Sequence, residues 1–133
     1  MANQLEHVNI RVKNIDETVK FLTTALPNFK VRGGKTSGEN RWLHVGTDST
    51  YLALNEDNRE VQRQGEGLNH IGFVVDDAEV VRERLEKAGY KEGFVATPHP
   101  HRKRIYYLDS NGMEWEFVEY YSEDPLERND YSL

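Results

Sequence analysis

The sequence contains no cysteine, which excludes disulfides, thiolate metal sites and cysteine nucleophiles. It has no apolar run long enough to cross a bilayer, and its first residues lack the basic and apolar regions of a secretory signal. A basic face for nucleic acid is missing as well, because the net charge is −6 and the one basic cluster, residues 101–104, is short. We therefore expect a cytoplasmic protein that binds neither membranes nor nucleic acid. Its 133 residues suit a single domain with one core.

The chain contains an internal repeat. Residues 5–12 read LEHVNIRV and residues 68–75 read LNHIGFVV, so their histidines, His7 and His70, stand 63 positions apart (70 − 7). The same offset places RWLHVGTDSTYLALNE, residues 41–56, on RIYYLDSNGMEWEFVE, with the first arginines and the last glutamates in register. Two copies of one supersecondary unit explain this match better than coincidence does.

Each copy predicts a strand, a helix and three further strands. Asn14 with Glu17 is a capping box for the first helix, and Asp76 with Glu79 is its counterpart in the second copy. The apolar stripes that follow are Ile15, Val19, Leu22 and Leu26, then Ala78, Val81, Leu85 and Ala88. Further strands are expected at 28–33, 40–46, 49–55, 90–95, 103–108 and 113–120.

The chain is thus predicted to be one domain, residues 1–133, made of two modules. The modules cover about residues 5–56 and 68–120, with a polar linker at 57–67. A polar, acidic tail at 121–133 could open one helical turn at Asp124-Pro125 or could fray.

Strand alternation separates polar from apolar faces. His7 and Asn9 oppose the apolar residues of the first strand, and Glu116 opposes Trp115 and Phe117 in the last one. Each copy therefore predicts a sheet with a helix on its apolar face and a polar face opposite. Two such sheets facing each other would form a cup.

In that cup His7 and His70 would meet near a pseudo-twofold axis. With Glu116 they would form the two-histidine, one-carboxylate set that binds a divalent metal and leaves positions open for substrate. Either histidine alone would more simply be a half-buried strand residue, and only the register match between the copies favours ligand roles.

The paired L-x-H strands, the helix caps and the stretch DSNGMEWE resemble the vicinal-oxygen-chelate superfamily of glyoxalase I, bleomycin-resistance proteins, fosfomycin thiol transferases and extradiol dioxygenases. The resemblance covers about residues 5–120. It implies an α+β fold in which two β-α-β-β-β modules form a curved, cup-like mixed sheet with helices outside. It also implies that His7, His70 and Glu116 bind the metal. The offset places Ala53 at the fourth ligand position, so Fe²⁺ or Mn²⁺ is favoured, with Ni²⁺ or Zn²⁺ left open.

Residues 97–116 are similar to the extradiol dioxygenase signature, which implies catalytic roles for Tyr106 and His99. Thr50 stands where those enzymes carry an acid–base histidine, and a hydroxyl cannot shuttle protons as an imidazole does near neutral pH. Asn9 and Tyr51 have the parity of cup-lining residues, and with His44 they are the candidate substrate-binding residues. Their simpler interpretation is an ordinary polar sheet surface.

Three functions stay open at this stage. The first is a metal-dependent enzyme of glyoxalase or dioxygenase type that chelates a small oxygenated substrate, an aromatic diol among the candidates, through two oxygens. The second is a glyoxalase I-like lyase. The third is a non-catalytic small-molecule binding protein of the bleomycin-resistance type. The resemblance also implies a homodimer, and the modules could pair within one chain or between two.

Overall fold

The computed structural model describes residues 4–57 and 67–133. These residues form two compact units, one N-terminal and one C-terminal in the sequence. Each unit contains a strand, a helix and three further strands, which confirms the predicted α+β class and the repeated β-α-β-β-β order. Most of the predicted linker, 57–67, lies outside the described residues. No helix in the part that is described is long and apolar enough to span a membrane.

The first unit is a four-stranded mixed sheet with one helix. Its elements are β1 (His7–Val12), α1 (Ile15–Ala25), β2 (Lys30–Lys35), β3 (Trp42–Gly46) and β4 (Tyr51–Glu56). The strand order is β1-β4-β3-β2, with β1 parallel to β4 and the other neighbours antiparallel. A parallel neighbour needs a crossover connection, and α1 begins that crossover.

The second unit repeats this arrangement. Its elements are β5 (His70–Val74), α2 (Ala78–Lys87), β6 (Lys91–Glu92), β7 (Arg102–Leu108), β8 (Glu114–Tyr120) and α3 (Pro125–Arg128). The strand order is β5-β8-β7-β6, and β5 is parallel to β8. His7 lies opposite Tyr51 and His70 lies opposite Glu114, so the offset of 63 aligns the strand pairing of both units. Asp124 caps α3, the single turn of the tail.

The sheets separate polar and apolar residues as the alternation predicts. Ile10 and Val12 are buried in β1, whereas His7 and Asn9 are exposed. Helix α1 packs on β3 and β4, and α2 packs on β7 and β8. The side chains that are buried most completely come from these helices and strands: Ile15, Phe21, Leu22, Val45, Leu54, Leu85, Ile105, Tyr107, Trp115 and Phe117.

The helix starts agree with the sequence in one case and differ by a residue in the other. Asn14 caps α1, and its side-chain oxygen accepts from the Glu17 amide at 3.2 Å. The prediction that Asp76 caps α2 is wrong, because Asp77 accepts from the amides of Glu79 and Val80. Two adjacent aspartates satisfy the same sequence pattern, and only the backbone geometry selects one of them.

The residues buried on each helix also differ in part from the predicted apolar stripes. Thr18 and Phe21 are buried in α1, whereas Val19 is half-buried. Ala88 is exposed because it follows the last residue of α2, and Gly89 then takes a φ of 90°, the left-handed conformation typical of a helix end.

A glutamate at the end of the last strand ties each helix to its sheet. The Ile15 amide, first in α1, donates to Glu56 Oε2 at 3.0 Å, and the Ala78 amide, first in α2, donates to Glu119 Oε1 at 2.8 Å. These glutamates are equivalent in the repeat. A carboxylate here satisfies an amide that lacks a helical partner and interacts favourably with the helix dipole. Glu56 also accepts from Arg41, and these hydrogen bonds hold the pKa of Glu56 below its usual range.

Replacement of either glutamate should destabilise its unit. We expect Glu56→Ala and Glu119→Ala each to lower the free energy of unfolding by about 1–2 kcal/mol, as loss of a helix cap does. The Glu56 contribution should be present above the ordinary glutamate pKa and should disappear as the pH falls through its lowered value in the folded state. Urea denaturation at several pH values measures both effects.

Glu83→Ala is the matched control, because Glu83 is an exposed glutamate of α2 with no ion pair among the described residues. It should change stability by no more than about 0.5 kcal/mol. Equal stability of all three variants would contradict the tethering role.

Candidate functional site

Three predicted site residues of the second unit meet on neighbouring strands. His70 on β5 places Nε2 3.1 Å from Oε2 of Glu116 on β8. Tyr106 on β7 lies directly opposite Glu116, and its hydroxyl hydrogen-bonds that carboxylate. The rings of Tyr106 and His70 meet edge to face at 5.3 Å. We call these three residues the His70 cluster.

A glycine makes the close approach of His70 and Glu116 feasible. Gly72 lies opposite Glu116 in the parallel pairing of β5 and β8. A Cβ at this position would be 3.2 Å from Glu116 Oε2, a tighter contact than most Cβ atoms make. The neighbours Trp115 and Phe117 are fully buried on the other face of β8, which leaves Glu116 on the polar face.

The side chain of the residue before each repeated histidine hydrogen-bonds the histidine ring and orients it. Nδ1 of His70 lies 2.7 Å from Asn69 Oδ1, and Nδ1 of His7 lies 2.9 Å from Glu6 Oε1. When Nδ1–H donates a hydrogen bond to these oxygens, the neutral imidazole presents its lone pair at Nε2. Metal-binding histidines are held in this way, with the non-ligating nitrogen donating to a protein oxygen.

The donor set of the His70 cluster fits a divalent cation. In this tautomer the Nε2 lone pair of His70 faces a carboxylate oxygen of Glu116, and two acceptors so close together repel unless a proton or a cation lies between them. Imidazole nitrogen and carboxylate oxygen are the donors of the two-histidine, one-carboxylate set. The residues present therefore suit a metal.

The described residues contain no group of three or more histidine, aspartate or glutamate side chains placed together to bind a metal. His70 and Glu116 supply two donors, and His7, in the other unit, stays the predicted third. Ala53 lies opposite Asn9, as Glu116 lies opposite Gly72, so alanine occupies the register position of Glu116 in the first unit.

Tyr106 is held in its protonated form. Its burial, reinforced by the hydrogen bond to Glu116, raises the pKa of Tyr106 to about 12, although Arg104 nearby works in the opposite direction. At neutral pH the hydroxyl therefore keeps its proton and donates a hydrogen bond to the Glu116 carboxylate. This hydrogen bond orients the carboxylate that faces His70.

Phe94 borders the cluster and was missed by the sequence reasoning. Its ring meets Tyr106 edge to face at 5.3 Å, and the side chain is 57% exposed. The sequence predicted a strand over residues 90–95, but β6 ends at Glu92, and nothing in the pattern marked Phe94 as a site residue. The Phe94 backbone amide donates to Glu114 Oε2 at 2.8 Å, so the Glu114 carboxylate binds this loop.

His99 has a different environment from the His70 cluster. Its Nε2 donates to the Asp130 carbonyl at 3.0 Å, and its Nδ1 accepts from the His101 amide at 3.0 Å. The ring is buried and fastens the C-terminal segment to its loop. Both ring nitrogens are therefore engaged away from Tyr106 and Glu116. A catalytic role for His99 stays a prediction.

The candidate substrate-binding residues share the polar face of the first sheet. The ring of Tyr51 stacks with His7 at 4.8 Å and with His44 at 4.6 Å. We call these three rings the Tyr51 cluster. Asn9 lies on the same strand as His7 and accepts from the Asn55 amide nitrogen at 2.7 Å.

Thr50, at the position compared with the acid–base histidine of dioxygenases, donates its hydroxyl to the Glu6 carbonyl at 3.1 Å. This hydrogen bond ties the start of β4 to the residue before β1. Thr50 is thus engaged in strand pairing.

Alkaline titration tests the environment of Tyr106. Since its pKa in the folded state lies above the ordinary value of about 10, its stabilising contribution should be complete below pH 10 and lost as the pH rises to about 12. We expect Tyr106→Phe to remove one late-titrating phenol from the near-ultraviolet absorbance and to flatten the loss of stability over this pH range. Phe94→Leu, which removes no phenol, should leave the absorbance amplitude unchanged. An unaltered late titration in Tyr106→Phe would contradict the assignment.

The family model described as the Glyoxalase/Bleomycin resistance protein/Dioxygenase superfamily matches residues 4–117. No curated protein sequence matches the chain significantly. Solved structures with the same fold include a glyoxylase/bleomycin resistance protein/dioxygenase domain from Frankia sp. EAN1pec, with 20% identity, a TM-score of 0.72, and coverage of 90% of this chain and 99% of that one.

Two further structures bear functional names. The fosfomycin resistance protein FosX from Listeria monocytogenes, complexed with Mn(II) and sulfate, has 19% identity and a TM-score of 0.70, with 96% of this chain and 98% of that one covered. The trypanothione-dependent glyoxalase I of Leishmania major has 21% identity and a TM-score of 0.69, with 89% and 87% covered. At such identities these structures show a shared fold. With most of its length matched by the family model, the chain belongs to the Glyoxalase/Bleomycin resistance protein/Dioxygenase superfamily.

Proposed function

We propose that this chain is a divalent-metal-dependent enzyme that acts on a small oxygenated substrate through two neighbouring substrate oxygens. The observation that carries the proposal is the approach of His70 Nε2 to Glu116 Oε2 at 3.1 Å, with Nδ1 of His70 occupied by Asn69. The FosX structure with Mn(II) lends support, because a protein of this fold binds a metal of the favoured kind.

Each residue of the proposed site has a definite task. His70 and Glu116 would hold the ion, and His7 is the third ligand that the repeat predicts. A divalent ion bound there supplies Lewis-acid stabilisation of negative charge on substrate oxygens. Tyr106 orients Glu116 through its hydroxyl and keeps a proton at neutral pH. Fe²⁺ or Mn²⁺ remains favoured over Ni²⁺ or Zn²⁺, since Ala53 offers no fourth donor.

The hydrogen bonds of the candidate acid–base residues favour one of them over the others. Ring-opening dioxygenase chemistry calls for a free acid–base group, and both nitrogens of His99 are hydrogen-bonded while Thr50 holds a backbone carbonyl. The ring nitrogens of His44 hydrogen-bond to none of the described residues and are available to a substrate. His44 is therefore the acid–base candidate, and it could serve an isomerase-like or lyase-like reaction of glyoxalase type as well as ring opening.

The Tyr51 cluster favours a second candidate function, binding without chemistry. Three stacked rings on one sheet face offer π surfaces for a planar ligand, as a small-molecule binding protein of the bleomycin-resistance type would need. The two functions differ in whether metal is retained and whether substrate is turned over.

Elemental analysis of protein purified without oxygen and without chelators tests the metal proposal. We expect about one iron or manganese per chain in the wild type, since the donors suit these ions. His70→Ala and Glu116→Gln should each lose most of this metal, because each removes a ligand. His101→Ala is the matched control: it removes a half-buried histidine that pairs with Glu127 instead, and it should retain the metal.

Circular dichroism shows whether each variant is folded, so that loss of metal can be attributed to the missing ligand. Wild-type metal content in both folded variants would refute the site. A wild type that takes up no metal after reconstitution, yet binds an aromatic compound tightly, would favour the binding function instead.

A further inference from the structure

An arginine that the sequence reasoning passed over lies against the Tyr51 cluster. The guanidinium carbon of Arg32 on β2 is 4.1 Å from the centroid of the Tyr51 ring, well within the range of a cation–π contact. Since the strand order is β1-β4-β3-β2, this side chain reaches across β3 to a strand that is not its neighbour. On β3, the strand in between, the residue opposite Tyr51 is Gly46, which has no side chain to block the contact of Arg32 with Tyr51.

The strand pairing of β2 is irregular at Arg32. Val31 lies opposite Val45 and Gly33 lies opposite His44, so Arg32 is the extra residue of a β-bulge. Bulges redirect side chains and are frequent beside binding sites. Gly34 permits this local shape, because it has a φ of 143° and a Cβ there would be 2.2 Å from the Trp42 carbonyl oxygen.

Among the residues that the structure describes, Arg32 has no acidic partner for its charge. None of the described carboxylates lies within ion-pair distance of Arg32, whereas Arg11, on the same face of the sheet, lies 3.7 Å from Asp57. No described residue accepts a hydrogen bond from the Arg32 guanidinium either. Its N–H groups are thus free of every described residue, while the Tyr51 ring holds the guanidinium by its cation–π contact. A guanidinium held in this way is preorganised to bind an oxyanion through two hydrogen bonds.

We propose that Arg32, with the Tyr51 cluster, binds the carboxylate, phosphonate or phosphate group of a small planar molecule. The inference rests on the proposed function only in taking Tyr51 and His44 as substrate-binding residues, and it narrows the substrate class to anions. A cation placed here counters the overall charge of −6, which would otherwise repel such a molecule.

Trp42 provides a local reporter. Its ring lies 5.2 Å from His44 and is 42% exposed, whereas Trp115, the other tryptophan, is fully buried. Benzoate and benzamide have nearly the same shape and differ in charge, so a titration of tryptophan fluorescence with each separates charge recognition from ring stacking. We expect saturable quenching by benzoate and by phenylphosphonate, with benzamide binding about tenfold more weakly, as loss of a charge-assisted hydrogen-bond pair implies.

Variants test whether Arg32 is the source of the preference for the charged ligand. Arg32→Gln should abolish the preference for benzoate over benzamide, and Arg32→Lys, which keeps the charge but loses the fork, should retain part of it. Arg11→Gln is the matched control and should bind benzoate as the wild type does, since Asp57 already pairs with that arginine. Trp42→Phe should remove the signal, and calorimetry then measures binding in that variant.

Wild-type affinity for benzoate in Arg32→Gln would overturn the proposal. So would equal binding of benzoate and benzamide, or no saturable binding of either anion to the wild-type chain. Titrations before and after chelator treatment, with metal analysis of the same samples, distinguish this proposal from the metal proposal. Arg32→Gln should retain the wild-type metal content. If the chain binds no metal at all, the chelator-treated protein should still prefer benzoate to benzamide.

Discussion

The structure depends on one constraint, the parallel pairing of the first and last strands in each unit. This pairing requires a crossover, and a glutamate at the end of the last strand accepts from the first amide of the crossover helix in both units. The register that results sets His7 opposite Tyr51 and His70 opposite Glu114. Two positions further along β8, Glu116 then lies diagonal to His70, close enough for the 3.1 Å approach of their side chains.

On this common scaffold the two polar faces have diverged. In the second unit a glycine on the first strand faces a glutamate on the last, which gives the donor pair of the His70 cluster. In the first unit the larger side chain of the equivalent pair is on the first strand instead, because Asn9 lies opposite Ala53. The space beside His7 is occupied instead by the Tyr51 ring, with Arg32 over it. One face thus carries a histidine–carboxylate pair, the proposed metal donors, and the other carries rings and a positive charge.

Much of this could be predicted from the sequence, because strand alternation and the repeat are local or periodic signals. They placed Glu116 and His70 on polar faces and aligned the strand register of the copies. The cap of α2 was misplaced by one residue, since Asp76 and Asp77 both satisfy the pattern. The contact of Arg32 with Tyr51 joins strands that are not neighbours, through a bulge that no periodicity reveals.

Pulsed electron paramagnetic resonance of Mn(II)-loaded protein tests the central claim most directly, because it detects imidazole nitrogens bound to the ion. The account predicts histidine nitrogen couplings in the wild type, weaker or fewer couplings in His70→Ala, and unchanged couplings in His101→Ala. Bound Mn(II) without imidazole couplings, or with the same couplings in His70→Ala, would contradict the assignment of His70 as a metal ligand.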